Sequence, residues 1–338
     1  MKKIGLTSIL LITILAFTNI GSASSLERSK PAIGFSFAAI GDVPYLPTSG
    51  GRQVYPATEY ESVIAHINED EDIEFSIHIG DIKGGSTLCE DAVYSTNLEY
   101  FNSFVNPLIF TPGDNEWTDC HRANNGSMDP LDRLSLIRNL FYDKHNKSLG
   151  QNTITLKSDQ KPYVENAAWT VKPAMFITLH QPGSNNNLNR TPDMDLEYAA
   201  RNASNMAFLE KMLKQAEHQP HIRLVVIASQ ANPFERFLES GQGYTESGYA
   251  DFIVILRAFV ADNPDVNVLY IGGDTHLYRV DQPLTDVYPS PAQLTPAGTS
   301  YPNFTRLEVF GAGSALSQWA KVSVNPDGTF SISPQLVP

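Results

Sequence analysis

Four aspartates in this chain each follow a glycine at the end of an apolar run. Gly41-Asp42 ends the run over 35–40, Gly80-Asp81 the run over 75–79, and Gly113-Asp114 the run over 107–110. Gly273-Asp274 ends the run over 266–271 and leads directly into His276. Short apolar runs closed by turn residues read as buried strands. Four such strands can deliver four carboxylates to one edge of one sheet. Crowded carboxylates repel each other, and an apolar setting makes their ionised forms costlier still. A bound cation is the simplest relief, so the pattern predicts a metal-dependent hydrolase. A single Gly-Asp pair would read only as a turn former; the weight lies in four of them after strands.

The elements that must hold these residues are legible between the runs. Residues 58–69 place Tyr60, Val63, Ile64 and Ile67 at helical spacing. Residues 91–105 read as a second helix. Asp129-Pro130 opens a third, as cap and first-turn proline, with Leu131, Leu134, Ile137, Leu140 and Phe141 on one face. Thr191-Pro192 opens the longest, over 193–217, with an inward stripe of Leu196, Ala199, Ala203, Met206, Leu213 and Ala216. A last helix is expected over 247–261. Further strands are expected over 153–157, 163–171, 174–179 and 224–228, followed by a β-rich end. The strand over 174–179 delivers His180, and the one over 224–228 leads to Gln230. Alternating strands and helices imply largely parallel pairing with helices outside, in one domain over 35–338. Ligands of such sheets bind beyond the carboxyl ends of the strands, where the four Gly-Asp pairs, His180 and Gln230 fall.

Composition sets the outer bounds. The chain has 338 residues, 42% of them hydrophobic, and a formal net charge of −13 at pH 7. That balance opposes duplex nucleic-acid binding, which needs a basic surface, and leaves room for a small phosphorylated substrate if a metal inverts the local charge. Met1-Lys2-Lys3, an apolar stretch over 9–17 and Gly21-Ser22-Ala23 have the form of a secretory signal peptide over 1–23. The stretch is too short to span a bilayer, which takes about 20 residues. A polar arm over 24–34 follows, and no later segment is apolar enough to span. The expectation is export, to a periplasm or beyond. In an exported chain the two cysteines, Cys89 and Cys120, are expected to form a disulfide tying the loops after Asp81 and Asp114; two free thiols are the alternative.

With these turns in order, the chain resembles the calcineurin-like metallophosphoesterase superfamily. The motifs Gly41-Asp42, Gly80-Asp81, Gly113-Asp114-Asn115-Glu116 and Gly273-Asp274-Thr275-His276 fall in that family's order and rough spacing. The stretch 113–120, with Ser184 to Asn187 and Gln230 to Pro233, is similar to a divergent exported bacterial branch carrying a Gly-Asp-Asn-Glu-Trp motif. The resemblance implies an α/β fold of two stacked, mostly parallel or mixed β-sheets flanked by helices, a four-layer sandwich with a two-metal centre for phosphoester hydrolysis. The chain departs from the family pattern in its ligands. The usual Asp-x-His reads Asp42-Val43-Pro44-Tyr45, Asp114 and Asn115 stand for the usual Asn and His, Gln230 stands for a His, and Asp274 replaces the first His of the last motif. Oxygen ligands suit magnesium, manganese or calcium better than zinc.

On that resemblance one metal position would use Asp42, Asp81 and His276, and the other Asp81, Asp114, Asp274 and Gln230, with Asp81 bridging. A metal-activated hydroxide would attack the phosphoester. Asn115 would donate a hydrogen bond to the developing charge but cannot transfer a proton, so either His180 or His121 is the proton source or the leaving group is a good one. His121, Arg122 and Asn187 are the expected substrate contacts, since an arginine fork fits phosphate. Tyr45 is expected to pack or to touch metal or phosphate. The alternative function is a weak or inactive metal-binding protein that captures a ligand on the same scaffold.

Overall fold

Strand β1 (Phe35–Ile40) shows how the layers are built, because its side chains alternate between two cores. Phe35, Phe37 and Ala39 belong to a cluster shared with the second sheet, while Ala38 and Ile40 belong to one shared with helices. Period-2 alternation with both faces apolar is what a strand between two covering layers needs. In this computed structural model the described residues are 34–144, 146–234, 247–287 and 298–338. The expected signal peptide and nearly all of the arm lie outside them. The described residues belong to one compact unit.

Among the described residues there are two main sheets. Strands β1, β2 (Ile73–His78) and β3 (Leu108–Phe110) pair in parallel. The second sheet holds β4 (Lys157–Ser158), β5 (Ala167–Val171), β6 (Ala174–Thr178), β7 (Leu224–Ala228), β8 (Asn267–Gly272), β9 (Arg279–Asp281) and β10 (Phe304–Glu308). Strands β11 (Gln318–Val324) and β12 (Phe330–Leu336) return to the first sheet. Its order is β12-β11-β1-β2-β3, and that of the second is β9-β10-β8-β7-β6-β5-β4. The second sheet is parallel at its centre and antiparallel at both edges, while the first is antiparallel over β12-β11-β1 and parallel from β1 to its β3 edge. Helix-linked crossovers require the parallel pairing, and the closely connected pairs β5–β6 and β11–β12 produce antiparallel edges.

The two sheets face each other across Phe37, Phe75, Trp169 and Phe176, whose rings meet edge-on or stacked at 5.0–5.6 Å. Burying each such ring contributes roughly 2–3 kcal/mol. Helices α1 (Thr58–Glu69), α2 (Asp91–Phe101) and α3 (Pro130–Phe141) cover the outer face of the first sheet, and α4 (Pro192–Glu217) and α5 (Ala250–Asp262) cover the second. The α/β/β/α sandwich expected from the motifs is the observed architecture. Asp129 caps α3 through Leu131 N–H at 2.8 Å, and Thr191 caps α4 through Met194 N–H.

Three expectations need correction. The strand over 153–157 reduces to β4, because this edge offers it only two residues of pairing with β5. The inward stripe of α4 fails in its first half, where Leu196 is 71% exposed. There the helix buries Arg201, Asn202 and Asn205 instead, which hydrogen-bond to the His180 carbonyl, Asn186 and Asp251; apolar periodicity cannot report a polar buried face. The four Gly-Asp pairs also do not share one sheet. Three follow β1, β2 and β3, and the fourth follows β8 of the other sheet.

Candidate metal centre

The pairs meet because the carboxyl ends of β1, β2 and β3 in one sheet and β8 in the other lie at the same end of the sandwich. Ile79 N–H donates to Ile40 O, and Val309 N–H to Gly272 O, so pairing runs to the base of the turns. Asp42, Asp81 and Asp274 then adopt left-handed backbone, with φ of +51°, +55° and +72°. Aspartate tolerates that region better than most residues. Two of the glycines before these aspartates have a second task. A Cβ on Gly113 would lie 2.0 Å from Asp81 Oδ1, and one on Gly273 would lie 2.1 Å from Asp42 Oδ2. The glycine of one pair therefore clears space for the carboxylate of another.

Asp42, Asp81 and His276 bring ligand atoms within 4.8 Å of one another, and so do Asp81, Asp114 and Asp274. Asp81 belongs to both groups. His276 Nε2 lies 3.5 Å from Asp42 Oδ1, and the Asp274 N–H donates to Asp42 at 3.1 Å. Around Asp81, Tyr45 Oη donates to Oδ2 at 2.8 Å, Asn115 Nδ2 donates to Oδ2 at 2.8 Å, and Asn115 N–H donates to Oδ1 at 3.1 Å.

Burial dominates the electrostatics. It raises the Asp42 carboxyl above its ordinary range, opposed by the His276 contact. It raises Asp81 further, reinforced by Asp114, Glu116 and Asp42. His276 is raised by its hydrogen bond to Asp42. Glu116 is pushed up to about 7, chiefly by burial. Its Oε1 accepts from Gly113 N–H at 2.6 Å and Asp81 N–H at 3.2 Å, so one carboxylate clamps the second and third turns together. Lys83, fully buried, donates to Asn125 Oδ1 at 2.7 Å, and burial draws its ammonium down to about 8.

No protein-family model and no curated protein sequence matches the chain. A purple acid phosphatase from yellow lupin (Lupinus luteus) seeds superposes with a TM-score of 0.52 at 10% identity, covering 90% of this chain and 52% of that one. The chain thus spans about half the length of the lupin protein. The fold is that of the calcineurin-like metallophosphoesterases. The structure of PhoD gives a TM-score of 0.49 at 10% identity over 91% of this chain and 73% of that one. A 5'-nucleotidase from Candida albicans gives 0.41 at 13% identity over 90% and 52%.

On this metallophosphoesterase fold the remaining expected residues divide. Cys89 and Cys120 form the disulfide, and both sulfurs lie against the Asn115 carbonyl at 3.7–3.8 Å. Gln230 touches the centre at Asp274. Its Oε1 accepts the Gly183 N–H, which fixes that atom as oxygen, and its Nε2 faces Asp274 Oδ1 at 3.2 Å. Its Oε1 keeps a second lone pair beside that one hydrogen bond, and its amide nitrogen orients Asp274. Asn115 spends its amide on Asp81 and on Tyr45 Oη, the latter at 2.6 Å, which makes it a brace for Asp81.

His180 is fully buried, with Nδ1 2.8 Å from Glu165 Oε1 and the ring edge-on to Trp117. Glu165 also holds Arg138. Burial lowers His180 to about 4, so the ring is neutral at pH 7. Asn187 is also buried and donates to Glu197 Oε2 at 2.9 Å, bracing its loop against α4. His121 is exposed and Arg122 half-exposed; both stand beside Asp119, which a hydroxyl connects to Asp114.

Sequence reasoning missed Glu116, Ser184 and Asp119. Glu116 sits inside the central motif, but nothing in its type announces that it accepts two backbone N–H groups. Ser184 through Asn187 all have left-handed φ, from +49° to +69°. The run of asparagines carried that signal, since asparagine is among the few residues that accept this conformation. The turn swings Ser184 Oγ to within 2.6 Å of Asp114 Oδ2.

Proposed function

We propose that this chain is an exported, metal-dependent phosphoesterase. The observation that carries the reading is the pair of ligand groups sharing Asp81. The donor set fits divalent cations: four crowded carboxylates, of which burial raises Asp42 and Asp81, one imidazole, and an Asp81 Oδ1 with a lone pair left beside its single hydrogen bond. Asp42, Asp81 and His276 would hold one ion, and Asp81, Asp114 and Asp274 the other. The oxygen-rich set favours manganese, magnesium or calcium over zinc. When bound, such ions supply positive charge for a phosphoryl oxygen and a water acidified to near neutral pH.

The chain's own residues do the rest. Glu116 and Asn115 fix the position of Asp81, Gln230 and Ser184 fix Asp274 and Asp114, and Arg122 with His121 stands at the rim for an anionic substrate. Export is supported by the signal-like start and by the disulfide. No helix among the described residues is long and apolar enough to cross a membrane.

A second reading, ligand capture with little turnover, is favoured by one observation. Asn115 and His180, the expected catalytic groups, are both committed to neighbours, Asp81 with Tyr45 and Glu165 respectively. Hydrolysis of p-nitrophenyl phosphate and bis-p-nitrophenyl phosphate with added manganese separates the two. The enzyme reading requires turnover that Asp114→Ala abolishes. Metal binding without turnover supports capture.

A further inference from the structure

Asp119 belongs to none of the four Gly-Asp turns, yet it is tied to them. Ser184 Oγ stands 2.6 Å from Asp114 Oδ2 and 3.0 Å from Asp119 Oδ1. On the far side two guanidinium groups close on Asp119: Arg122 Nη1 is 2.6 Å from Oδ2, and Arg190 Nη2 is 3.5 Å from Oδ1. Arg190 Nη2 also lies 2.7 Å from His121 Nδ1, whose imidazole burial keeps below its ordinary range and so neutral at pH 7. The Asp119 side chain is 3% exposed, that of Arg190 11% and that of Arg122 35%.

One carboxylate calls for one guanidinium. Here two arginines share it, in a chain whose net charge is −13, beside a centre of four more aspartates. The result is a positive edge that Asp119 and Ser184 link to Asp114. Arg122 keeps part of its fork towards solvent, and a guanidinium fork matches the oxygens of a phosphoryl group. The four aspartates suit the phosphoryl that reacts; this edge suits an anionic group attached directly to it.

We propose that Arg122 and Arg190 form a subsite for a second phosphoryl group, so that phosphoric anhydrides such as nucleoside diphosphates are preferred over simple monoesters. The inference rests on the phosphoesterase reading of the acidic centre. In the implied reaction the water oxygen bonds to the terminal phosphorus and the bridging P–O bond breaks. The electron pair leaves with the shorter phosphate, one water proton stays on the released phosphate, and the other goes to solvent.

The test compares full-length protein with Arg122→Ala and Arg190→Ala, in manganese, on a nucleoside diphosphate, the matching monophosphate and p-nitrophenyl phosphate. The expected result is a tenfold or larger fall in the ratio of kcat/KM for the diphosphate to that for the other two. An unchanged ratio overturns the subsite, whether all rates hold or all fall together. Should an alanine variant melt early, Arg122→Lys and Arg190→Lys keep the charge on Asp119 but lose the fork, and a threefold fall is expected. Calorimetry with inorganic pyrophosphate gives a readout free of turnover: binding at least tenfold weaker in the alanine variants supports the subsite, and equal binding overturns it. If the wild-type chain hydrolyses none of the three esters, the phosphoesterase reading fails while calorimetry still decides the subsite.

Discussion

Asp81 Oδ1 occupies the space where a side chain on Gly113 would begin, 2.0 Å from an added Cβ. The second and third strand ends are thus fitted to each other atom against atom, and Glu116 clamps them from the other side. Gly113→Ala must push the Asp81 carboxylate away from both ligand groups. We expect a loss of about 1–3 kcal/mol in stability and metal binding at least tenfold weaker by isothermal titration. Gly84→Ala, whose nearest neighbour would be 3.4 Å away, is the control and is expected to change either quantity little.

Because Asp81 serves both groups and Asp274 only one, their removal should differ in count. Asp81→Asn is expected to empty both positions, and Asp274→Asn one. Elemental analysis of purified protein, referred to protein concentration, checks this. Equal losses in the two variants would mean that Asp81 does not bridge.

Glu116 separates charge from geometry. Glu116→Ala removes the acceptor for two backbone N–H groups and also removes a buried, strained charge. The net cost is about 2–3 kcal/mol, read from urea unfolding. Glu116→Gln keeps an acceptor for both and is expected within about 1 kcal/mol of wild type. A glutamine variant as unstable as the alanine variant would show that the charge, not the two hydrogen bonds, holds the turns.

The left-handed turn after β6 makes a backbone prediction. Asn185 has φ +54°, and its Oδ1 accepts the Gly248 N–H at 2.8 Å. Asn185→Gly and Asn185→Ala both lose that bond, but only alanine carries the penalty of a Cβ in this region. Alanine is expected to be about 1 kcal/mol worse than glycine by thermal unfolding. Equal variants would place the whole cost in the hydrogen bond.

His180 predicts a pH slope. Its folded value, about 4, lies below the ordinary 6.5, so between those values the unfolded chain binds the extra proton. Stability is therefore lost as pH falls from 6.5 towards 4. The contribution is about 2 kcal/mol between pH 7 and pH 5. His180→Asn should flatten the curve of unfolding free energy against pH by about that amount. An unaltered slope would show that His180 is not held neutral.

How much of this was legible follows from which residues announce themselves. The four Gly-Asp pairs, their strands and the two cysteines could be read directly, because apolar runs and glycine punctuation are local signals. His276 could be placed by its distance of two from Asp274. Arg201, Asn202 and Asn205 could not, since a buried polar helix face looks like a solvated one until its partners are known. Arg190 carried no signal, and His180 read as a candidate proton source, because neither residue type encodes its distant neighbour.

The sequence by itself determined which residues sit at strand ends and therefore which carboxylates were available. Strand ends are set within a few residues, by periodicity and by turn formers. Only the tertiary structure decided that three of those ends belong to one sheet and the fourth to another, and that they converge. It also decided that Gln230 turns its nitrogen to Asp274 and that Asn115 is spent on Asp81. Those outcomes depend on contacts between residues far apart in the chain, where burial and hydrogen-bond geometry, rather than residue type, select the partner.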